Sequence, residues 1–425
     1  MKTILQAILA FLTKKIIKKY QPRIVGITGS IGKTSAKEAV FAVLSSRFNV
    51  RQNVKNYNNE IGVPLTVIGA VAKGKSVFGW LSVFIKAFGL LIFKDKDYPR
   101  VLVLEMGADH PGDIAYLVKI VKPQISVVTK VSATHLEFFG TVAKVAKEKQ
   151  KIATCLDSDE VAILNYDDPL VRKMQEKIKA GVIFFGHHDG ADVRAIELYN
   201  QGDGMNIQGI KFKIQYNGST VPVFLPNVVG AHQMNAALIG AAVGIAFRMN
   251  LIEISQGLKN YHSPKGRMNV IAGIKNSLLI DDTYNSSPEA ASAALSAASS
   301  LKIQEINRRV AILGDMLELG DITEQAHYDL GKQVAEDGFK LLVAVGENKE
   351  HLAKGAKENG LLNILTFDNS EAACDEVQNL IQNNDLVLIK GSQGARMERI
   401  VKELMKEPDR ASELLIRQEK DWLQR

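Results

Sequence analysis

Apolar residues along the chain form short runs that alternate with longer, periodically spaced segments. The short runs have the length of buried strands and lie at 23–25, 101–105, 125–129, 310–314, 341–346, 364–367 and 386–391. The longer segments, such as 36–44 and 112–120, repeat apolar residues at the spacing of one helix face. Strands that alternate with helices predict a mostly parallel sheet, with ligands at the carboxyl ends of its strands.

Two changes in this pattern predict the domain limits. From 161 to 225 short strands and turns replace the alternation, which indicates a β-rich flank to the first sheet. Turn-forming residues cluster at 261–267, and a second strand–helix alternation follows them. We therefore predict an amphipathic N-terminal helix (1–22), a central α/β domain (23–262) and a Rossmann-like C-terminal domain (263–425).

Composition restricts the class of protein. A chain of 425 residues with 46% apolar content can bury large cores, and its formal charge of +7 suits anionic substrates or an anionic membrane face. The lysines are scattered, and no nucleic-acid-binding module is visible. The two cysteines, Cys155 and Cys374, indicate neither a disulfide framework nor a zinc site. We expect a cytoplasmic protein that acts as a monomer.

Two segments raise the question of membrane contact. Residues 1–20 have an apolar middle and later lysines on one face, which predicts a retained amphipathic helix rather than a cleaved signal peptide. This helix would pack on the domain behind it or lie on anionic lipid. Residues 77–93 are nearly all apolar but short for a membrane span, so we expect a buried or interfacial helix. Peripheral contact with the inner face of the membrane through both segments is one outcome.

The stretch GITGSIGKTS (26–35) joins the first strand to a helix and predicts a phosphate-binding loop. Its glycines let the backbone approach an anion, and free amides and the helix dipole point at that anion. The glycines recur at every third position, a variant of the usual spacing. The predicted nucleotide-binding residues here are Gly29, Ser30, Gly32, Lys33, Thr34 and Ser35. The central domain is therefore predicted to be a P-loop ATPase domain.

Candidate metal ligands lie at or just after the ends of two further predicted strands. Glu105 closes a buried strand, where a carboxylate can hold Mg²⁺ together with the hydroxyl of Thr34. His135 follows the next strand and is a candidate ligand of a second metal ion, although a lone histidine is more often structural. An asparagine-rich loop at 53–64 has the composition of a functional loop, and we predict that Asn58 and Asn59 bind substrate.

Ten sequence blocks in a fixed order carry a family resemblance. They are TGSIGKTS, NYNNEIGVP, EMGADHPGDI, SATHLEFFG, AKEKQKI, GAHQMNAAL, KGRM, DDTYNSSP, ILGDMLELG and KGSQGARME. From about Arg23 to its end, the chain resembles the Mur ligases, the ATP-dependent amide ligases of peptidoglycan precursor synthesis. Within that family it is most similar to the branch that adds D-alanyl-D-alanine to UDP-N-acetylmuramoyl-tripeptide.

The resemblance implies a mechanism and roles for the central domain. ATP converts a peptide carboxylate to an acyl phosphate, which an incoming amine attacks. Lys33 would grip the phosphates, Thr34 and Glu105 would hold one Mg²⁺, and His135 would help to hold a second. The family also has a carbamylated lysine that acts as a metal ligand. Counting back from Ile152 selects Lys149 for this role, with Lys147 and Lys151 as competitors.

The resemblance implies roles for the C-terminal domain as well. Arg267 would reach the γ-phosphate, Asp282 the ribose hydroxyls, and Tyr284, Asn285 and Pro288 would border the adenosine. His327, Lys390, Ser392 and Arg396 would face the incoming amino substrate. Asn235 is a weaker adenine contact, because it follows His232 by three residues where the family asparagine follows by four. Ligands held by both domains would imply domain closure over ATP.

Some positions depart from the family pattern and leave alternatives open. The phosphate loop begins at Gly26, so we expect the family's first, uridine-nucleotide-binding domain to be absent. Lys130 and Gln393 replace an asparagine and an arginine that are common in the family. The chain would therefore keep the D-alanyl-D-alanine-adding role, act on a different and membrane-linked carboxylate acceptor, or serve as a nucleotide-binding partner subunit that no longer ligates.

Overall fold

The computed structural model describes residues 2–54, 57–74, 76–134, 136–203, 205–230, 232–301 and 305–423. The chain divides into two compact units. Unit 1 contains residues 1–196, 213–223 and 235–261, and unit 2 contains 197–212, 224–234 and 262–425. The predicted domain limits stay a prediction. The units separate close to the predicted boundary at residue 263, but two segments of the predicted central domain are grouped with unit 2.

Helices and strands alternate through most of the described chain. The helices are α1 (Lys2–Tyr20), α2 (Lys33–Ser45), α3 (Gly62–Ile68), α4 (Val77–Ile92), α5 (Asp113–Ile120), α6 (Leu136–Phe139), α7 (Val142–Thr154), α8 (Pro169–Arg172), α9 (His232–Ala246), α10 (Leu251–Leu258), α11 (Pro288–Ser299), α12 (Thr323–Glu336), α13 (Lys349–Glu358), α14 (Ser370–Leu380), α15 (Glu398–Leu404), α16 (Ala411–Leu414) and α17 (Lys420–Leu423). Short 3₁₀ helices lie at Lys173–Lys177, Ile274–Asn276, Gly320–Ile322, Gln393–Ala395 and Pro408–Arg410. The strands are β1 (Arg23–Thr28), β2 (Val50–Gln52), β3 (Val101–Glu105), β4 (Ile125–Val128), β5 (Val161–Asn165), β6 (Gly181–Gly186), β7 (Val193–Asp203), β8 (Asn206–Tyr216), β9 (Ser219–Pro226), β10 (Asn269–Ala272), β11 (Leu278–Asp282), β12 (Arg309–Gly314), β13 (Leu341–Val345), β14 (Ile364–Phe367) and β15 (Leu386–Lys390).

The first sheet has the order β2-β3-β1-β4-β5-β6-β7-β8-β9. Strands β2 to β6 pair in parallel in that order, and β7 begins parallel to β6. In the register, Ile27 is level with Glu105 and Thr28 with Val128, so these three strands end at the same edge. The phosphate loop therefore leaves β1 at the edge where parallel sheets bind ligands.

The second sheet has the order β10-β11-β15-β12-β13-β14 and is parallel except for β10. Its central strands β11, β15, β12 and β13 are buried on both faces. Val310 and Ile312 of β12 lie in one apolar cluster, whereas Ala311 and Leu313 lie in the other. A parallel sheet covered on both faces is the Rossmann-like arrangement. The predicted fold class, a mostly parallel α/β sheet with a β-rich flank followed by a second α/β unit, is confirmed.

The N-terminal helix α1 packs on α3, α4 and α5 of unit 1. Its buried residues Leu9, Leu12 and Ile16 follow the spacing of one helix face. In the part of the chain that the structure describes, no helix is long and apolar enough to cross a membrane. The prediction that 77–93 forms a short helix agrees with α4.

Candidate active site

The phosphate loop turns from β1 into α2 through two glycines with positive φ. Gly29 has φ 151°, and a Cβ built on it would lie 1.8 Å from Oγ1 of Thr129, so only glycine fits. Gly32 has φ 85° and precedes the first turn of α2, where no side chain caps the helix. At this uncapped start of α2, the helix dipole favours a negative charge.

Lys33 folds back over this loop. Its Nζ donates hydrogen bonds to the carbonyl oxygens of Gly29 (2.9 Å) and Ser30 (3.3 Å). The loop is tied to the end of β4, because the Ser30 amide donates to the Lys130 carbonyl (2.6 Å) and Thr134 Oγ1 donates to Ser30 Oγ (3.1 Å). Ser35, on the same first turn of α2, is half-buried. The loop is therefore held in place, and the Lys33 ammonium lies against its backbone carbonyls.

Glu105 is the carboxylate that the structure brings to this loop. It is only 5% exposed, and Thr34 Oγ1 donates to its Oε2 (3.0 Å) while Asn58 Nδ2 donates to its Oε1 (3.0 Å). The predicted pair Thr34 and Glu105 is therefore adjacent, and Asn58 contacts the same carboxylate. Asn59 instead contacts the start of α3, since its Oδ1 accepts from the amide of Gly62 (2.9 Å).

Sequence reasoning missed two residues that support Glu105. Asn53 clamps its backbone, accepting from the Glu105 amide (2.6 Å) and donating to the Glu105 carbonyl (3.1 Å). Lys37 is buried and donates from Nζ to the Asn53 carbonyl (2.9 Å). A signal was present in the sequence, because Lys37 precedes Val40 and Leu44 on the apolar face of α2. A lysine on a buried face needs a partner.

Lys149 is the buried one of the three candidate lysines. Its side chain is 2% exposed, and it has no hydrogen-bond or ion-pair partner among the residues that the structure describes. Burial, reinforced by the charge of Lys33, lowers its pKa to about 7, although Asp109, Glu148 and Glu105 oppose the shift. A substantial fraction of this amine is therefore neutral near pH 7.

The two competitors of Lys149 are placed differently. Lys147 is exposed, and Lys151 donates to Oε2 of Glu148 (2.6 Å). Glu148 is itself buried and accepts from the amides of Gly112 and Ile114, each at 3.0 Å, at the start of α5. Its role is to join α7 to α5, which holds the backbone beside Lys149 in place.

Asn235 lies elsewhere in unit 1, in α9. Its Oδ1 is 2.9 Å from Nε2 of His187, and the amide of His187 donates to Asp167 (2.8 Å). The half-buried Asn235 side chain is thus engaged by a histidine that sequence reasoning missed. His187 follows β6 without any surrounding motif, so no signal in the sequence identified it.

In unit 2 the predicted nucleotide residues gather around the end of β11. The guanidinium of Arg267 lies over the Tyr284 ring, 4.2 Å from its centroid. The Tyr284 amide donates to the carbonyl of Gly266 (3.1 Å), which has φ 68°. Pro288 starts α11. The turn containing Arg267 and the loop after β11 are therefore fixed against each other.

Asp282 and Lys390 form a buried ion pair in this unit. Nζ of Lys390 donates to Oδ2 of Asp282 (2.6 Å) and to the carbonyl of Asn285 (2.9 Å). Both side chains are nearly inaccessible. Burial lowers the pKa of Lys390, and the charge of Asp282 opposes that shift. Lys390 therefore positions the loop that carries Asn285, and one oxygen of Asp282 is already occupied.

Two predicted substrate residues are buried and hydrogen-bonded to the backbone. His327 is 0% exposed, and its Nε2 accepts from the Met316 amide (2.9 Å) while Nδ1 lies 2.7 Å from the Thr323 carbonyl. Ser392 Oγ accepts from the Leu317 amide (3.0 Å). The structure thus places both side chains behind the loop after β12. Burial lowers the pKa of His327, so the ring is neutral at pH 7. Contact of either with substrate stays a prediction.

Arg396 belongs to a buried charge network that sequence reasoning missed. Its Nε donates to Glu398 Oε1 (2.6 Å), and Arg417 Nη1 donates to Glu398 Oε2 (3.0 Å). Arg417 also donates to the carbonyls of Thr283 (3.1 Å) and Tyr284 (2.6 Å). Arg417 lies outside every recognisable block, so only the fold reveals that it holds the loop after β11.

Comparisons with known proteins identify the family. The Mur ligase middle domain matches residues 89–244, and the Mur ligase glutamate ligase domain matches residues 266–393. The UDP-N-acetylmuramoyl-tripeptide--D-alanyl-D-alanine ligase of Escherichia coli K12 is 31% identical over 388 residues, which cover 90% of this chain and 76% of that protein. The chain belongs to the Mur ligase family. The enzyme of the same name from Bacillus subtilis is 27% identical, covering 93% of this chain and 79% of that protein.

Solved Mur ligases share the fold of this one. A MurF structure from Acinetobacter baumannii aligns with a TM-score of 0.78 at 28% identity, covering 94% of this chain and 80% of that chain. A MurF ligase from Thermotoga maritima, solved in complex with ADP, aligns with a TM-score of 0.77 at 25% identity, covering 95% and 84%. The predicted membership of the Mur ligase family is confirmed.

The matched ranges of this Mur ligase include part of the predicted site, and the phosphate loop precedes them. Glu105 and Lys149 lie in the middle-domain match, and Arg267 and Lys390 lie in the glutamate ligase domain match. His135 lies outside the described residues, so its predicted role is untested. No group of three or more histidine, cysteine or acidic side chains able to hold a metal occurs in the part of the chain with described coordinates. The individual site roles stay predictions.

Proposed function

We propose that this Mur ligase joins D-alanyl-D-alanine to the tripeptide carboxylate of a UDP-N-acetylmuramoyl-tripeptide, with ATP and Mg²⁺. The observation that carries this proposal is the cluster at the sheet edge of unit 1: the phosphate loop, the Thr34–Glu105 pair and the buried Lys149. The overall reaction is ATP plus carboxylate plus amine, giving amide, ADP and phosphate. The ligases from Escherichia coli and Bacillus subtilis carry the same named activity.

The chain's own residues fit a Mg²⁺ ion. The hydroxyl of Thr34 and the carboxylate of Glu105 are hard oxygen donors, the kind that Mg²⁺ takes together with phosphate oxygens. When bound, Mg²⁺ offsets the repulsion between two anionic reactants. Asn58 and Asn53 would keep the Glu105 carboxylate and backbone in position for it.

The proposed reaction has two steps, formation of an acyl phosphate and attack of the amine on it. An oxygen of the acceptor carboxylate attacks the γ-phosphorus, and the bond to the bridging oxygen breaks, releasing ADP and leaving an acyl phosphate. The amine nitrogen of the second substrate then attacks the carbonyl carbon, loses a proton, and the carbon–oxygen bond to phosphate breaks. The amides at the start of α2 and the ammonium of Lys33 would bind the phosphates and stabilise the negative charge on their oxygens.

We assign the family's carbamylated lysine to Lys149. Carbamylation requires a neutral amine, because the Nζ lone pair attacks the carbon of CO₂ and a proton is then released. The lowered pKa of Lys149 supplies that neutral form, and no protein group among the described residues competes for its nitrogen. The product is a carboxylate-like group that would give the Mg²⁺ site another oxygen donor.

A second candidate keeps the ligase chemistry but changes the acceptor to a carboxylate linked to a membrane lipid. The observation favouring it is the exposure of large apolar side chains on α1 and α4, including Phe11, Phe78 and Ile85. Peripheral contact with the inner face of the membrane, a cytoplasmic location and a monomeric state remain part of the proposal.

Phosphate release with ATP, UDP-N-acetylmuramoyl-tripeptide and D-alanyl-D-alanine tests the proposed function. We expect release only when all three are present, and a new amide product in equal amount. Release that needs neither partner would indicate an idle ATPase. Release that needs D-alanyl-D-alanine and a lipid-linked tripeptide, but does not occur with the nucleotide-linked one, would favour the second candidate.

A further inference from the structure

Helices α1 and α4 pack against each other in unit 1 and leave large apolar side chains exposed. On α4 these are Phe78, Leu81, Ile85, Phe88 and Ile92, which are 85%, 53%, 64%, 53% and 71% exposed. Their spacing alternates between three and four residues, so they form one continuous stripe along the helix. Ile4, Ile8 and Phe11 form a shorter stripe on α1. We call the two stripes the helix-pair surface.

The fold does not need this surface for its own core. Each helix already buries a different face, with Leu12 and Ile16 on α1 and Val83 and Ala87 on α4 in the apolar cluster of unit 1. Large apolar residues exposed singly are ordinary, but a continuous stripe on a folded domain marks a site of interaction. The exposed stripes are therefore available for a partner outside the chain.

The pair of helices is fastened at one end. Lys19 Nζ donates to the carbonyls of Leu90 (2.8 Å) and Phe93 (2.7 Å) at the end of α4, and the Tyr20 hydroxyl donates to Leu90 (3.0 Å). The lysine therefore satisfies carbonyls that the helix end leaves open. The helix-pair surface is thus a fixed part of unit 1 rather than a loose terminus.

The charged residues of the two helices are all positive, and Glu60 contacts α1 through Gln6 (2.8 Å). Neither α1 nor α4 contains an acidic residue, whereas Lys14, Lys15 and Lys18 of α1 and Lys86 of α4 are exposed. Asp95 and Asp97 follow α4, where Lys94 and Lys96 alternate with them. Apolar stripes flanked by lysines are the pattern of helices that lie in the interface of an anionic bilayer.

The same charges argue against a second copy of the chain as the partner. A symmetric dimer through the helix-pair surface would cover lysines of both α1 helices without acidic partners on α1 or α4 of either copy. Anionic headgroups neutralise the lysines, and acyl chains accept the stripes. We propose that the helix-pair surface docks unit 1 on an anionic lipid bilayer. Docking rests on the peripheral membrane contact named in the proposed function and assigns its surface and its lipid class, but it does not depend on ligase turnover.

Co-sedimentation of the full chain with vesicles tests this proposal. We expect pelleting with vesicles of phosphatidylcholine mixed with phosphatidylglycerol, weaker pelleting with phosphatidylcholine alone, and loss of binding at high salt. Docked on the anionic vesicles, the chain should still release phosphate from its substrates. Size-exclusion chromatography without lipid should give the elution volume of a monomer.

Matched variants test the apolar part. Replacing two stripe residues, Ile85→Glu with Phe88→Glu, should lower the vesicle-bound fraction about tenfold, since charges must then enter the acyl region. The control is Ile252→Glu on α10, whose side chain is 66% exposed against 64% for Ile85. The control should pellet like the wild type, and both variants should keep phosphate release in solution.

A second pair of variants tests the charges. Neutralising Lys14, Lys15 and Lys18 to glutamine should weaken binding to the anionic vesicles several-fold, to the level seen with phosphatidylcholine alone. The control neutralises Lys173, Lys177 and Lys179, three exposed lysines elsewhere in unit 1, and should keep binding.

Three results would overturn the proposal. One is an active chain that does not pellet with the anionic vesicles. Another is equal pelleting of the wild type and the Ile85→Glu, Phe88→Glu variant. The third is a dimer in solution that this variant dissociates, because a second copy would then cover the helix-pair surface. Loss of phosphate release with vesicle binding intact would instead count against the proposed function alone.

Discussion

Units 1 and 2 each bury a lysine beside the carboxyl end of a parallel strand, and the two lysines differ in their partners. Lys390 ends β15 and is paired with Asp282 and the carbonyl of Asn285. Lys149 interacts with the charge of Glu105 at the end of β3, but no described residue hydrogen-bonds to it. Burying a charge without a partner lowers the stability of the fold. The buried Lys149 amine therefore indicates a role in the chemistry of the site rather than in stabilising the fold.

The largest expected effect is on turnover. Lys149→Ala should lower phosphate release about a hundredfold or more, because it removes the proposed source of a metal ligand. Added short carboxylic acids should restore part of the rate by occupying the vacated space. Lys147→Ala is the control, since Lys147 is exposed on the same helix. Unchanged turnover in Lys149→Ala would refute the assignment and remove the contrast between the two lysines.

The next effect concerns the metal requirement in unit 1. Glu105→Gln keeps the shape, because its oxygen can accept from Asn58 and its amide can donate to the Thr34 hydroxyl, but it lacks the charge that Mg²⁺ prefers. We expect the Mg²⁺ concentration for half-maximal phosphate release to rise about tenfold or more. The exposed Glu176→Gln serves as the control. An unaltered Mg²⁺ titration would mean that Glu105 only organises the loop.

Substituting each of the two lysines should change the free energy of unfolding in opposite directions. Lys390→Met leaves the buried Asp282 without its partner and should lower the free energy of unfolding by about 3–5 kcal/mol. Adding Asp282→Asn to it should recover part of this loss. Lys149→Met removes an unpaired buried amine and should raise the free energy of unfolding at pH 7. Urea unfolding measures both, and a loss of stability in Lys149→Met would show that the wild-type amine has a partner.

The increase in the free energy of unfolding caused by Lys149→Met should depend on pH. The pKa of Lys149 falls from its usual 10.5 to about 7 on folding. Between these values the unfolded chain holds more protons than the folded one, so wild-type stability rises with pH there. The advantage of Lys149→Met should therefore shrink from pH 7 to pH 10. An advantage independent of pH would contradict the lowered pKa.

Much of this comparison could be predicted from sequence, because the informative residues are local. The phosphate loop follows β1, and Glu105 is the last residue of β3. Neighbouring parallel strands bring residues at their carboxyl ends to one edge of the sheet. The place of Lys149 in a sequence block selects it among the three lysines. Burial of Lys149 and exposure of Lys147 then separate two candidates that composition alone treats alike.

The rest depends on contacts between residues far apart in the chain. Arg417 fixes the Tyr284 carbonyl across 133 positions, and no local pattern predicts such a pair. His327 could equally be a ligand or a core residue until its two backbone partners are known. For α4, a helix apolar on nearly all sides left open whether it is buried or interfacial, and only tertiary packing shows which face stays exposed.

The central claim is that the carboxylate substrate is activated by direct transfer of the γ-phosphoryl group. An acceptor peptide with ¹⁸O in its terminal carboxylate tests this in a single turnover mixture analysed by mass spectrometry. The account predicts that each phosphate released carries one oxygen atom from that carboxylate, in step with amide formation. Phosphate without the label, formed while amide accumulates, would contradict it.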